Sequence, residues 1–510
     1  MTGSRKNIVI IMSDEQSWDT LGCHGNAASV TPNIDALAAR GTSLDRCYTA
    51  YPLCCPARAS LWTGLMPHGH EVTGNWRSIR EDLRDEGLVK NFKEAGFHTI
   101  YTGKWHVPGT TPDRFHFDDI SAIPAVIEGR DRGRFIEEYR EYARSEGYVL
   151  HDTHIENLTH ADLEKLNRPG RAPYGTAEIK EEHFLETWQT RQFLQAMDRR
   201  PEEQPFLAVC SYNAPHFPMI VPSPYDKLVR PEDVTLPENF LKGIEGKPQE
   251  VLNSPYFKEM QGLDESEWRG FIAHYWGLCA LIDKQVGEIV GYLKRNGLFD
   301  NTIIVFVSDH GDMMGAHGIV KKGFPLHYEE ALRVPLIIAN AGASEASAPS
   351  ESAALVSLID LLPTLADLSG VAVKQRHEGR SFEPVLQGKT DRHRDYVVAE
   401  TFKLGGDEGA IVGGERVSPR QFRIGKDSVN VSVRTDTHKY IFRYMDEEEL
   451  YDLTEDPYEN VNIAGDRART GEIAHMRELL RRELADSHPF LGRLIAGRLD
   501  ERNANAMTTE

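Results

Sequence analysis

Apolar residues along this chain fall into two periods. Short unbroken runs of β-branched and aliphatic residues recur at 7–12, 99–101, 206–211, 302–307 and 334–339. Runs of this kind predict strands buried on both faces, as in a parallel sheet covered by helices. Between them the apolar period lengthens. Thr31, Pro32 and Asn33 open a short amphipathic helix through Ala39, with Thr31 as N-cap, Pro32 as the first helical residue and Gly41 as its end. Residues 83–95, closed by Gly96, and the long stretch 268–294 also read as helices. Strands alternating with helices predict an α/β fold.

Two regions break the rhythm. Residues 109–185 are charged and loop-rich, with one helical stretch at 135–145, and read as an insertion over the sheet. After about Asp391 the pattern becomes that of short antiparallel strands at 396–400, 429–435 and 440–444, followed by a helix at 470–485. The organisation expected is a large α/β domain over 1–390 and a smaller α+β domain over 391–510. The last residues, 500–510, read as frayed. Residues 489–499 are apolar enough to form a helix that docks on a partner subunit, giving a homo-oligomer, or on the chain itself.

A chain of 510 residues exceeds one ordinary core, which agrees with two domains. Its net charge of −20 argues against nucleic acid or an anionic membrane as partner. An anionic substrate would therefore need a local positive site. No apolar run reaches membrane-spanning length, and the run after Arg5 and Lys6 is too short for a signal peptide, so a cytoplasmic location is expected. Six cysteines make no disulfide framework, and the adjacent Cys54 and Cys55 lack zinc or redox spacing.

Candidate chemistry gathers where strands end. The first strand runs into Ser13-Asp14-Glu15 and the strand at 302–307 into Ser308-Asp309-His310. In open α/β sheets ligands bind beyond the carboxyl ends of strands. Three carboxylates and one imidazole brought together there suit a hard or borderline divalent cation, whereas either pair alone could merely cap a helix. Cys54 precedes Pro56, which fits a first helical turn, and Arg58 follows one turn on. A helix start reinforced by a guanidinium favours anions and lowers a thiol pKa. A cysteine phosphatase is excluded by spacing, because neither cysteine has an arginine six positions later. Lys104 and His106 follow the strand at 99–101, and His216 follows the strand at 206–211. Lys321 and Lys322 precede the strand at 334–339. A lysine and histidines at strand ends can bind an anion and move protons.

Taken together these residues match a known pattern. Cys54-Cys55-Pro56-Ala57-Arg58-Ala59-Ser60-Leu61-Trp62-Thr63-Gly64 resembles the signature of the sulfatase family, C-x-P-S-R followed by A-S-L-x-T-G, with Ala57 in place of the usual serine. Gly103-Lys104-Trp105-His106, Pro215-His216, Ser308-Asp309-His310-Gly311-Asp312, 328–335 and 449–457 follow in the family's order. The resemblance implies a mixed, mostly parallel alkaline-phosphatase-like sheet flanked by helices, with a small C-terminal domain. It implies conversion of Cys54 to formylglycine (3-oxoalanine) by a formylglycine-generating enzyme. One hydroxyl of the hydrated aldehyde would attack the ester, and the second would then expel the product anion. It implies Asp14, Asp309 and His310 as metal ligands, with Glu15 and the modified Cys54 beside them. Calcium is the favoured ion, and manganese the second option because of the nitrogen ligand. Arg58 would orient the hydrate. Lys104 and Lys322, or Lys321 by a shift of one, would bind the anion. His106 would act as base and His216 as acid. The implied activity is sulfate ester hydrolysis. Phosphonate monoester or phosphodiester hydrolysis at the same site is the alternative, and a non-catalytic binding protein of the same fold the distant one. Trp76, Arg77 and His327 are candidate contacts to the leaving group, whose pocket is expected from 109–185 and 217–265.

Overall fold

The computed structural model describes residues 5–123, 137–151, 158–168, 170–341, 350–404, 411–412, 415–416, 427–487 and 489–508. Eight strands form the continuous path of its main sheet: β1 (Asn7–Ser13), β2 (Gly41–Tyr48), β3 (His98–Gly103), β4 (Asp119–Ser121), β5 (Phe206–Ser211), β6 (Thr302–Ser308), β7 (Leu336–Ala339) and β8 (Ser350–Ser357). Their order is β8-β2-β7-β6-β1-β5-β3-β4. β1 lies in the middle, parallel to β6 and β5, and β5 is parallel to β3. All residues of β1, β5 and β6 are buried, which explains their unbroken apolar runs. The sheet is mixed because β7 runs antiparallel to both β6 and β2.

Two apolar layers cover the sheet. Even-numbered residues of β1 (Ile8, Ile10, Met12) pack with Trp62 and the helix Leu361–Leu368, and odd-numbered ones (Val9, Ile11) with the long helix Glu265–Arg295. The short helix α1 (Pro32–Ala38) departs from expectation at both ends. Thr31 sits at its N-cap, but its hydroxyl accepts from Gly22 N instead, and Asp283 of the long helix receives the free Asn33 and Ile34 amides at 2.9 and 2.8 Å. Gly41 does not end this helix; it opens β2, where an added Cβ would lie 2.2 Å from the Ile338 carbonyl oxygen.

A second, four-stranded antiparallel sheet forms the C-terminal domain: β9 (Val397–Lys403), β10 (Ser428–Arg434), β11 (His438–Arg443) and β12 (Glu449–Asp452). The helix Thr470–Ser487 packs against it. A further helix, Pro489–Thr508, runs through residues expected to fray. It packs on its own chain, with Ile495 and Leu499 buried and Arg502 donating to the Arg443 and Asp446 carbonyls. In the insertion, the described helix Glu137–Ser145 lies in the stretch expected at 135–145, of which residues 135 and 136 fall outside the described set. Among the described residues no helix is long and apolar enough to cross a membrane.

Candidate active site

Four neighbouring strands set the geometry. Ser13 of β1 pairs with Ser308 of β6, Met12 of β1 with Ser211 of β5, and Ser211 with Gly103 of β3. The residues that follow, Asp14, Glu15, Asp309, His310 and Lys104, therefore emerge side by side at the carboxyl edge of the sheet, and all are buried. The helix α2 (Cys54–Thr63) faces this edge. Cys54 is its first residue rather than the residue before it, so the thiol sits at the positive end of the helix. Its Sγ lies 3.1 Å from His310 Nε2, 3.6 Å from Asp14 Oδ1 and 4.0 Å from Lys104 Nζ.

Arg58, one turn further and fully buried, ties this group together. Its guanidinium donates to Asp309 Oδ2 at 2.8 Å, Asp14 Oδ2 at 2.9 Å, and the Lys104 carbonyl and Ser211 Oγ at 2.8 Å each. Lys104 Nζ lies 2.6 Å from Asp14 Oδ2. Burial pushes the Asp14 carboxyl up, but Lys104, His216, Arg58 and His310 together hold it well below the ordinary carboxylate range. Glu15, at a positive φ of 67°, pairs with Lys322 and lies 3.2 Å from His216 Nε2. Burial raises Glu15 to about 8, with Lys322 opposing and Asp312 adding to the rise. Three carboxyl groups thus meet three cations, Arg58, Lys104 and Lys322.

The two lysines of 321–322 separate cleanly. Lys322 is buried against Glu15, whereas Lys321 points to Glu259 at 2.6 Å on the outside. His216 is buried, with Nδ1 2.6 Å from the Phe217 carbonyl, which can only accept. Nδ1 therefore carries hydrogen and Nε2 faces Glu15. The insertion approaches here, because Tyr139, Asp162 and Ile179 line a small cavity together with His216. His106 is half-buried at a φ of 56°. His327 is not at a leaving-group pocket: it is fully buried between Ser432 Oγ and Thr401 Oγ1, both 2.9 Å away, on the C-terminal sheet. Arg77 pairs with Glu71 at 3.2 Å, and Trp76 lines a large cavity.

Sequence reasoning gave no role to Ser211, which fixes Arg58, or to Asp312, whose carboxylate accepts from the Met314 and Lys321 amides. Ser211 had a usable signal, being the polar end of an apolar strand. Asp312 had only its place in the Ser308–Asp312 stretch.

A cation fits this donor set. Oxygen, nitrogen and sulfur atoms of Asp14, Cys54, Asp309 and His310 lie within 4.8 Å of one another, as do those of Asp14, Glu15 and His216. His310 Nδ1 lies 2.9 Å from the Gly311 carbonyl, which fixes its hydrogen there and leaves the Nε2 lone pair aimed into the group. Glu15 Oε1 is buried with no hydrogen-bond partner among the described residues.

Comparison with known proteins gives the following. The family model described as Sulfatase matches residues 6–371. An arylsulfatase of Clostridium perfringens (strain 13 / Type A) is 28% identical over 488 residues, covering 94% of each chain. The multifunctional alkaline phosphatase superfamily protein PehA of Trinickia caryophylli is 28% identical over 502 residues, covering 91% of this chain and 92% of its own. Among solved structures, the phosphonate monoester hydrolase SpPMH of Silicibacter pomeroyi aligns with a TM-score of 0.76 at 22% identity, over 95% of this chain and 96% of that one.

Proposed function

The chain belongs to the sulfatase family, and from that premise we propose that it hydrolyses sulfate monoesters through Cys54, carried as formylglycine, beside a divalent cation. The observation that carries this reading is the buried meeting of Cys54 with Asp14, Asp309, His310, Arg58 and Lys104 at one sheet edge.

Each residue's part follows from its position. Asp14, Asp309 and His310 would hold the cation, with Glu15 alongside. The cation would polarise the ester oxygens and lower the pKa of the attacking hydroxyl. Formylglycine would supply a geminal diol, one hydroxyl to attack sulfur and the other to expel sulfate once deprotonated. Arg58 keeps Asp14 and Asp309 fixed relative to residue 54, since a guanidinium bridging two buried carboxylates has no freedom to swing. Lys104 and Lys322 stand on two sides of the carboxylates and would draw the sulfuryl oxygens, stabilising charge that builds as the ester bond breaks. His216, held by the Phe217 carbonyl and facing Glu15, would in its doubly protonated form donate from Nε2 to the departing oxygen. His106 would take the proton from the second hydroxyl.

The second reading, hydrolysis of phosphonate monoesters or phosphodiesters, is favoured by His310, a nitrogen donor beside Asp309, and uses the same residues. A panel separates the two. The protein is produced together with a formylglycine-generating enzyme, and the Cys54 peptide mass is checked. kcat/KM is then compared for an aryl sulfate, an aryl phosphonate monoester and an aryl phosphodiester. The sulfate is expected to lead. A lead for either phosphorus ester makes the second reading the function, and no turnover by converted protein overturns both.

A further inference from the structure

A cavity of about 740 Å³ lies between the main sheet domain and the C-terminal sheet. Two chain segments run into its wall directly from the site. Leu53, which lines it, precedes Cys54, and Phe324, which lines it, follows Lys322 by two residues. The segments touch at Gly323, whose φ is 99°. A Cβ there would come within 3.3 Å of the Tyr256 hydroxyl and 3.6 Å of Leu53 Cδ1. A third link is Asn75, a lining residue whose Oδ1 accepts from the Cys55 amide at 3.2 Å. Cavity and nucleophile therefore share a wall.

The lining has a definite chemistry. Trp76 lies across Gly74, where a Cβ would fall 2.5 Å from the indole nitrogen, and its half-buried ring packs against the C-terminal core. Tyr256, Phe324 and Phe402 add further aromatic surface. Two carboxylates are anchored in the same wall. Glu250 accepts from Ser428 Oγ at 2.8 Å and Asn430 Nδ2 at 3.1 Å, and Asp446 accepts from the Glu250 amide at 2.6 Å and the Glu447 amide at 2.9 Å. Among the described lining residues Lys403 is the one cation, and it is exposed.

We propose that this cavity receives the leaving group, and that it selects an uncharged, ring-bearing alcohol or phenol over one that carries a further negative charge. The inference rests on the ester-hydrolase reading above. Aromatic walls offer faces for a ring, and ordered carboxylates offer acceptors for its hydroxyl or amide hydrogens. Asp446 repels an anion, a discrimination made by like charge rather than by fit, while the Glu250 carboxylate is partly offset by Arg443 Nη1 at 3.9 Å. The wall is built largely from 249–256, within the expected 217–265, and from the C-terminal domain.

The test uses the sulfate esters of 4-hydroxybenzamide and 4-hydroxybenzoate, which differ only in charge at the end remote from sulfur. The amide ester is expected to have the higher kcat/KM by about tenfold or more, as like charge in a partly enclosed site allows. Asp446→Asn is expected to narrow that gap, and Trp76→Ala to raise KM for the amide ester with little change in kcat. In parallel, Cys54→Ala protein is titrated calorimetrically with the two free phenols. Saturable binding of 4-hydroxybenzamide that weakens with Trp76→Ala supports the cavity assignment even where no ester is hydrolysed, an outcome that would sink only the hydrolase reading. Equal turnover and equal binding of the neutral and anionic probes, or indifference to Trp76→Ala, overturns the proposal.

Discussion

At the scale of single residues, the two neighbouring cysteines make the sharpest contrast. Cys54 Sγ meets His310, Asp14 and Lys104, while Cys55 Sγ turns to the Asn75 carbonyl at 3.9 Å. Cys54→Ala is expected to lower kcat by at least about a thousandfold, as removal of a nucleophile does. Cys55→Ala should keep kcat within about threefold and cost about 1 kcal/mol of stability, the scale of a small buried side chain. Equal losses of kcat in the two variants would mean that the nucleophile lies elsewhere. Most of the residues that meet around Cys54 were legible as candidates because each stands next to an apolar strand or a helix start. The choice between Lys321 and Lys322 was not, since spacing alone cannot tell which of two adjacent lysines turns inward. The fold decides it by giving Lys321 a positive φ of 64° and Glu259 as an outer partner.

At the scale of elements, one carboxylate locks a junction. Asp360 follows β8 and begins the helix Leu361–Leu368. It accepts from the Ser357 amide at 3.0 Å, the Arg380 amide at 2.7 Å, His393 Nε2 at 3.1 Å and Arg394 Nε at 2.7 Å. Burial pushes its carboxyl up, but Arg394 and His393 outweigh that and bring it to about 2 from an ordinary 3.8. A folded-state value below the unfolded one stabilises the native state fully above the unfolded value, and that contribution fades as pH falls toward the folded value. The expected contribution is about 2 kcal/mol near neutrality. The Tm difference between wild type and Asp360→Asn should therefore be largest above about pH 5 and shrink toward pH 3. A difference that is constant across that range would show that the ionised form is not what stabilises the junction. The elements themselves were legible to unequal degrees. Strands buried on both faces announce themselves as apolar runs, and β1, β5 and β6 were read almost to the residue. β2 and β8 were missed because polar residues interrupt them: Asp45 and Arg46 in one, and Ser350, Glu351 and Ser352 in the other. The reversed direction of β7 was missed too, since direction leaves no trace in a run of four apolar residues.

At the scale of the whole molecule, the two sheets are joined by buried charge. Lys439 of β11 reaches Glu459 at 2.6 Å, Glu329 at 2.9 Å and the His327 carbonyl at 3.0 Å, and Arg443 reaches Glu449 and the Pro325 carbonyl. The C-terminal domain thus grips residues 325–330, a few positions after Lys322. No sequence pattern foretold the links to Glu329, His327 and Pro325, because each joins positions more than a hundred residues apart.

The same enclosure limits when the chain can be activated. Cys54 has 0% of its surface exposed, under a helix, a sheet edge and a ring of charges. If Cys54 is carried as formylglycine, as proposed above, a thiol so enclosed is poorly presented to a converting enzyme, and its oxidation to the aldehyde would belong to the interval before the sheet closes around it. Protein made without the converting enzyme should then stay inert when that enzyme is added to the folded form, and gain the aldehyde only when added during refolding, as the Cys54 peptide mass would report. Conversion of the folded form at a comparable rate would mean that this region opens readily. Otherwise, on the formylglycine reading, maturation would be a race between an encounter and a collapse, and the fraction of working molecules would be fixed once, at birth.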